Sequence, residues 1–171
     1  VVTSFLTSST RAALDVPLWT AAFVARHALV VAALTVVPLA ERTTVVLWAS
    51  SRPTALAMLG ETVTLVFRLA LVAVVIGLLV REEPWLRDGG VGRRLLDGVV
   101  AHWPELVIRT VVFVLVFALL NLVASGLGML VDATRGTRYD LVVFGFRNAV
   151  IIPLAVVWMC GIGRQLLAAT H

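Results

Sequence analysis

The chain has 171 residues, of which 60% are hydrophobic and 14% charged, with a mean hydropathy of +1.02. A soluble domain carries about a quarter charged residues, so this composition excludes an ordinary water-soluble enzyme or binding module. The net charge of +4 and pI of about 10.9 come entirely from arginine, with no lysine; these arginines flank apolar runs, where anionic lipid headgroups account for them and no nucleic-acid partner is expected.

A span needs roughly 20 mostly apolar residues to cross about 30 Å of hydrocarbon. The 171 residues therefore read as one all-α membrane domain, 1–171, built as a four-transmembrane-helix bundle with two amphipathic interfacial helices. The opening stretch VVTSFLTSSTRAALD does not read as a signal peptide. Over residues 4–25, Ser, Thr, Arg11 and Asp15 alternate with Leu14, Leu18, Trp19 and Phe23, which gives an amphipathic helix lying in the interface plane. The first span is expected at 28–50 with a bend at Pro38; a frame of 18–40, burying Arg26 and His27 instead of Glu41 and Arg42, stays open. The second is expected at 61–80, stopping at Arg81, Glu82, Glu83 and Pro84. A Gly-rich turn and a short amphipathic helix over 91–103 follow, with Arg93 and Asp97 four apart. The third span, 105–131, opens with Glu105 and Arg109 four apart in the favourable order. After the polar loop DATRGTRYD, the fourth runs over 141–163.

Arginines gather on cytoplasmic flanks. Arg11, Arg26, Arg81, Arg87, Arg93, Arg94 and Arg164 fall on one side, against Arg52, Arg135 and Arg138 on the other. Both termini are therefore expected in the cytoplasm, with the chain in the inner (plasma) membrane. The two halves also resemble each other. Arg11, Leu14, Asp15 and Arg93, Leu96, Asp97 precede His27 and His102; Glu61 leads Phe67-Arg68-Leu69-Ala70 as Asp140 leads Phe146-Arg147-Asn148-Ala149. A tandem two-span repeat keeps its orientation, with an axis along the membrane normal.

Arg68 and Arg147 are the most informative positions, because an intramembrane arginine is costly and faces the bundle interior, a cavity or a partner. Glu61 and Asp140 stand seven residues earlier on the same helical face, about 10 Å away, within reach of a snorkelling guanidinium. The two arginines read either as depth anchors or as the lining of an anion or lipid-headgroup site. Asn121 and Asn148 need hydrogen-bond partners at membrane depth and read as interhelical glue. Ala124, Gly126, Gly128, Gly161 and Gly163 permit close helix approach. Paired histidines can ligate haem iron, but His27 and His102 sit at an interface beside Arg26 and Trp103, so no cofactor is expected. Cys160 lies within an apolar run, as an inert buried thiol. Trp19, Trp85 and Trp103 mark one membrane interface, and Trp48 and Tyr139 the other.

The sequence has no catalytic Ser-His-Asp set, zinc helix or phosphate-binding loop, and no enzymatic activity is expected. The amphipathic lead-in, Ala25-Arg26-His27 and the Pro38-bearing span resemble small actinobacterial membrane proteins that serve as accessory subunits of envelope transport complexes, an Mce-type lipid importer among them. That resemblance implies a stabilising subunit whose partners are membrane lipids and a larger membrane-protein complex. The alternative is a small oligomeric transporter or channel with an arginine-lined anion or headgroup path.

Overall fold

The computed structural model describes residues 15–48, 53–87 and 90–169, and every regular element within them is helical. Four helices are long and apolar enough to cross a membrane: Ala28–Leu47, Thr54–Glu82, Trp103–Val131 and Thr137–Ala168. The protein is a multi-pass membrane protein.

Helix α1 covers residues 15–26; the earlier part of the amphipathic stretch, including Arg11 and Leu14, lies outside the described residues. Val16, Thr20 and Phe23 are buried, spaced by four and three residues as one helical stripe requires. The stripe does more than face lipid. Phe23 clusters with Leu71, Val75 and Val157, and Val16 and Trp19 close on Gly161, where an added Cβ would meet the Trp19 ring at 2.8 Å.

An elbow at His27 separates α1 from α2, Ala28–Leu47, and α2 alone of the two is long and apolar enough to cross a membrane. Its buried stripe is Val31, Thr35, Pro38 and Glu41; Pro38 removes a backbone donor. Helix α3, Thr54–Glu82, begins a full two turns before the expected span. Its 29 residues extend about 44 Å, because the segment from Thr54 to Leu59 contains nothing that breaks a helix and Gly60 costs only about 1 kcal/mol within one. Glu83 ends it ahead of Pro84, whose ring disfavours helix in the preceding residue.

A 3₁₀ turn, Pro84–Arg87, leads to α4, Val91–Ala101, which starts from Gly90 at φ 86°, a left-handed geometry suited to glycine. A second elbow at His102 opens α5, Trp103–Val131. The loop turns on Asp132, whose carboxylate accepts from the Thr134 hydroxyl and backbone N–H. The hydroxyl bond is the chief reason its pKa is held below the usual value. The chain returns through α6, Thr137–Phe146, a π-helical segment, Arg147–Ile151, and α7, Ile152–Ala168. These form one continuous apolar rod, longer at both ends than the expected 141–163.

α2 pairs with α3 and α5 with α6 as two hairpins, which meet through α2 against α6 and α3 against α7; α4 also lies on α7. Lipid tails are as apolar as leucine, so helix association here rests on close packing. Trp158 is the centre of one such seam, its ring edge-on to Phe113 and Phe117 at 5.9 and 5.8 Å.

The element order recurs: short helix, histidine elbow, long helix, return helix. His27 sits at φ −109°, ψ 23° and His102 at φ −119°, ψ 26°. Each donates its N–H to the carbonyl four residues back and accepts from the amide four ahead. The halves diverge at the second arginine: α3 runs unbroken through Arg68, whereas Arg147 opens the π segment.

Candidate functional site

The polar residues at membrane depth converge where α2, α3 and the π segment meet. Arg68 Nη2 donates to Asn148 Oδ1 at 3.2 Å, and Asn148 Nδ2 donates to the Phe144 carbonyl at 2.9 Å. Asn148 is buried. It therefore takes the guanidinium with one end of its amide and covers a backbone acceptor with the other, as a polar group in hydrocarbon must.

Glu61 does not hold Arg68. Both its oxygens receive Arg42 of α2, Nη1 to Oε1 at 2.8 Å and Nη2 to Oε2 at 2.9 Å. The reason is distance along the helix: Arg68 would have to climb two turns of α3, whereas Arg42 arrives at the same level from the neighbouring helix. Glu41, with a nearly buried carboxylate, lies 3.7 Å from Arg42 Nε and accepts from Thr64 Oγ1 at 3.5 Å. Arg42 is thus held between two acids, and charge pairing joins α2 to α3. The sequence reading puts Glu41 and Arg42 inside the 28–50 span without assigning them partners, and passes over Thr64. The spacing Glu61, Thr64, Arg68 does mark one helical face and could have shown it.

Outside this network an open pocket of about 300 Å³ is lined by Glu61, Thr62, Thr64, Leu65 and Arg68. Inside it, the space between Pro38, Phe67, Arg68 and Asn148 is only about 10 Å³, room for about one water.

Arg147 behaves differently from its counterpart. Its register places it between Val143, which abuts Gly128, and Ile151, which clusters with Phe117, on the side of the rod that faces α5. Its Nε, like that of Arg68, is buried without a hydrogen-bond partner, but no acceptor takes its guanidinium as Asn148 takes that of Arg68, and Asp140 forms no ion pair with it among the described residues. Where Arg68 finds Asn148, the repeat-related neighbour of Arg147 is Leu69, so the second arginine lacks the matching amide. Asn121 donates to the Phe117 carbonyl of its own helix at 2.8 Å instead of bridging helices. Arg109 pairs with Glu105 at 3.2 Å, as their spacing implies.

A second polar layer closes the opposite end of the bundle. Glu82 accepts from Arg26 at 3.1 Å and meets His27 Nε2 at 2.9 Å, tying the first elbow to the end of α3. Glu83 pairs with Arg164 at 2.6 Å and accepts from Trp85 Nε1 at 2.6 Å, tying α3 to α7; the Arg164 guanidinium also stands 5.7 Å from the Trp19 ring centre. Arg26 is 62% exposed, so solvent screens its pair. Glu82→Gln should lower stability by less than about 1 kcal/mol, measured by thermal unfolding in detergent; a loss several times larger would show that the elbow depends on this one carboxylate.

No family model, no curated protein and no solved structure matches this chain.

Proposed function

We propose that the chain is a non-catalytic accessory subunit that stabilises a larger bacterial plasma-membrane complex of the envelope lipid-transport kind, with both termini in the cytoplasm. The observation that carries this reading is the contrast between interior charges that engage one another at every position but Arg147 and an outer surface left apolar. α5 has 29 residues, yet only Arg109, Phe117, Ala124 and Gly128 are buried, a single seam against the rest of the bundle. Its remaining circumference, with Val111, Leu115, Leu119 and Leu122 exposed, suits a neighbouring membrane subunit as well as lipid. The chemistry at Arg68 favours a strut over a conduit, because its inner side has space for about one water.

Solubilisation in mild detergent at native abundance should recover the chain with a larger membrane assembly, and its deletion should lower that assembly's amount. A lone monomer whose deletion leaves every membrane complex intact would refute the proposal.

The open pocket beside Arg68 favours a second reading, a small oligomeric transporter in which Arg68 and Arg147 line a path for an anion or lipid headgroup. In that case reconstituted vesicles should show anion flux that is lost when both arginines become Leu. Flux unchanged by the double substitution excludes it.

A further inference from the structure

The crease between α5 and the last rod carries polar groups along its outward edge. Gly128 against Tyr139 and Val143 fixes how the two helices run past each other; four residues back on α5 and four ahead on the rod, Ala124 lies level with Arg147. One flank of this seam is closed, since Val112, Val116 and Leu120 of α5 and Phe146 of the rod pack on the cluster around Val16 and Trp158. At about 100° per residue, Asn121 and Ser125 fall on the other flank of α5, and Arg147 and Phe144 on the matching flank of the rod. Asn121, Ser125 and Arg147 are partly exposed there, with Leu122 and Phe144 exposed beside them.

Arg147 is uncommitted. It forms no hydrogen bond or ion pair among the described residues, and its Nε is buried without a partner. A guanidinium cannot shed its proton, and a charge at membrane depth calls for an opposite charge close by. Donors gather at the same level: Asn121 Nδ2 gives one N–H to the Phe117 carbonyl and keeps a second, and Ser125 adds a hydroxyl one turn away. A lipid phosphate would have to sink about 15 Å below the start of α6 at Thr137 and pass Asp140, which repels it. A second copy in the same orientation brings its residues in at equal depth, and the acids nearest that depth, Glu41 and Glu61, are held by Arg42. The fitting anion is a carboxylate on the spanning helix of a different protein.

We propose that this crease seats a transmembrane helix of a partner subunit, whose Asp or Glu pairs with Arg147 and accepts from Asn121 and Ser125. The inference rests on the accessory role and gives that partner its chemistry.

The full chain, at native abundance in its own membrane, carries photoreactive p-benzoylphenylalanine in place of Phe144. Irradiation should join it to another membrane protein, within a spanning segment that holds an Asp or Glu. Arg147→Leu should lower co-purification of that protein about tenfold, as when one side of a buried ion pair is removed. The isolated Arg147→Leu chain should unfold in detergent no earlier than the parent, because an uncompensated charge has gone. Arg147→Glu should lose the partner, and exchanging the partner's acid for Arg should restore it. Co-purification unchanged by Arg147→Leu, no rescue by the charge exchange, or a cross-linked segment without an acid would overturn the pairing and leave the accessory role standing. Cross-links confined to a second copy or to lipid, with a larger assembly still recovered, would do the same. A chain recovered alone, with no protein attached at position 144, would overturn both.

Discussion

Gly128→Leu should cost the bundle about 3 kcal/mol, the upper end of ordinary overpacking, while Gly126→Leu should leave stability within about 0.5 kcal/mol of the parent. The difference lies in what each backbone meets. A Cβ on Gly128 would lie 2.7 Å from the Tyr139 ring and 2.8 Å from Val143, so a leucine there must push α6 away from α5 along the hairpin's main contact. Gly126, half a turn off, has nothing within 4 Å of the same atom. Lipid tails fill whatever space opens, so the loss is one of dispersion and geometry, with no hydrophobic penalty to soften it. Unfolding of both variants in mixed micelles, followed by circular dichroism against rising dodecyl sulfate, measures the contrast. Equal stabilities for the two would show that α5 and α6 do not meet at this seam.

Asn148→Leu should destabilise by about 2 kcal/mol, the scale of a hydrogen bond to a charged group. It strips Arg68 of its acceptor and uncovers the Phe144 carbonyl in one step. The guanidinium then has to stretch toward Glu61, which Arg42 already occupies. A double-mutant cycle separates these contributions: in an Arg68→Leu background the same asparagine change should cost markedly less, because no charge is left behind. If the cost is identical in both backgrounds, the Arg68 to Asn148 bond contributes nothing and the amide matters only to its own helix.

The spans were legible because hydrocarbon forces long apolar runs into helices, and composition alone reports that pressure. Helix ends were less so. α3 starts at Thr54 because its first turns contain no breaker, and hydropathy is insensitive to a helix that continues beyond the oil. The reach of α1 over the bundle was invisible for another reason: amphipathic periodicity says that Val16, Thr20 and Phe23 share a face, but not whether lipid or protein covers it. The glycines divide the same way. Gly126 and Gly128, or Gly161 and Gly163, are equal as sequence, yet in each pair one is packed against a ring and the other is open. The polar site failed at its pairings. Spacing within one helix joined Glu61 to Arg68 and Asp140 to Arg147; the acid that mattered was taken by Arg42 from the next helix, and nothing local could reveal that. Glu105 and Arg109, whose pairing is internal to one helix, were read directly.

The wide turn from Arg147 to Ile151 sets the angular phase between the two halves of the last rod. Before it, Val143 addresses α5; beyond it, Val157 and Gly161 address α3 and α1. Each residue of an ordinary helix advances the direction of its side chains by about 100°. Removing a single residue from this stretch would therefore leave both segments helical but swing one contact surface away from its neighbour. The chain could keep the grip on α5 or the seat for α1, and not both. Such a segment inside a membrane is consequently far less tolerant of a change in length than a surface loop, although no side chain in it need be altered.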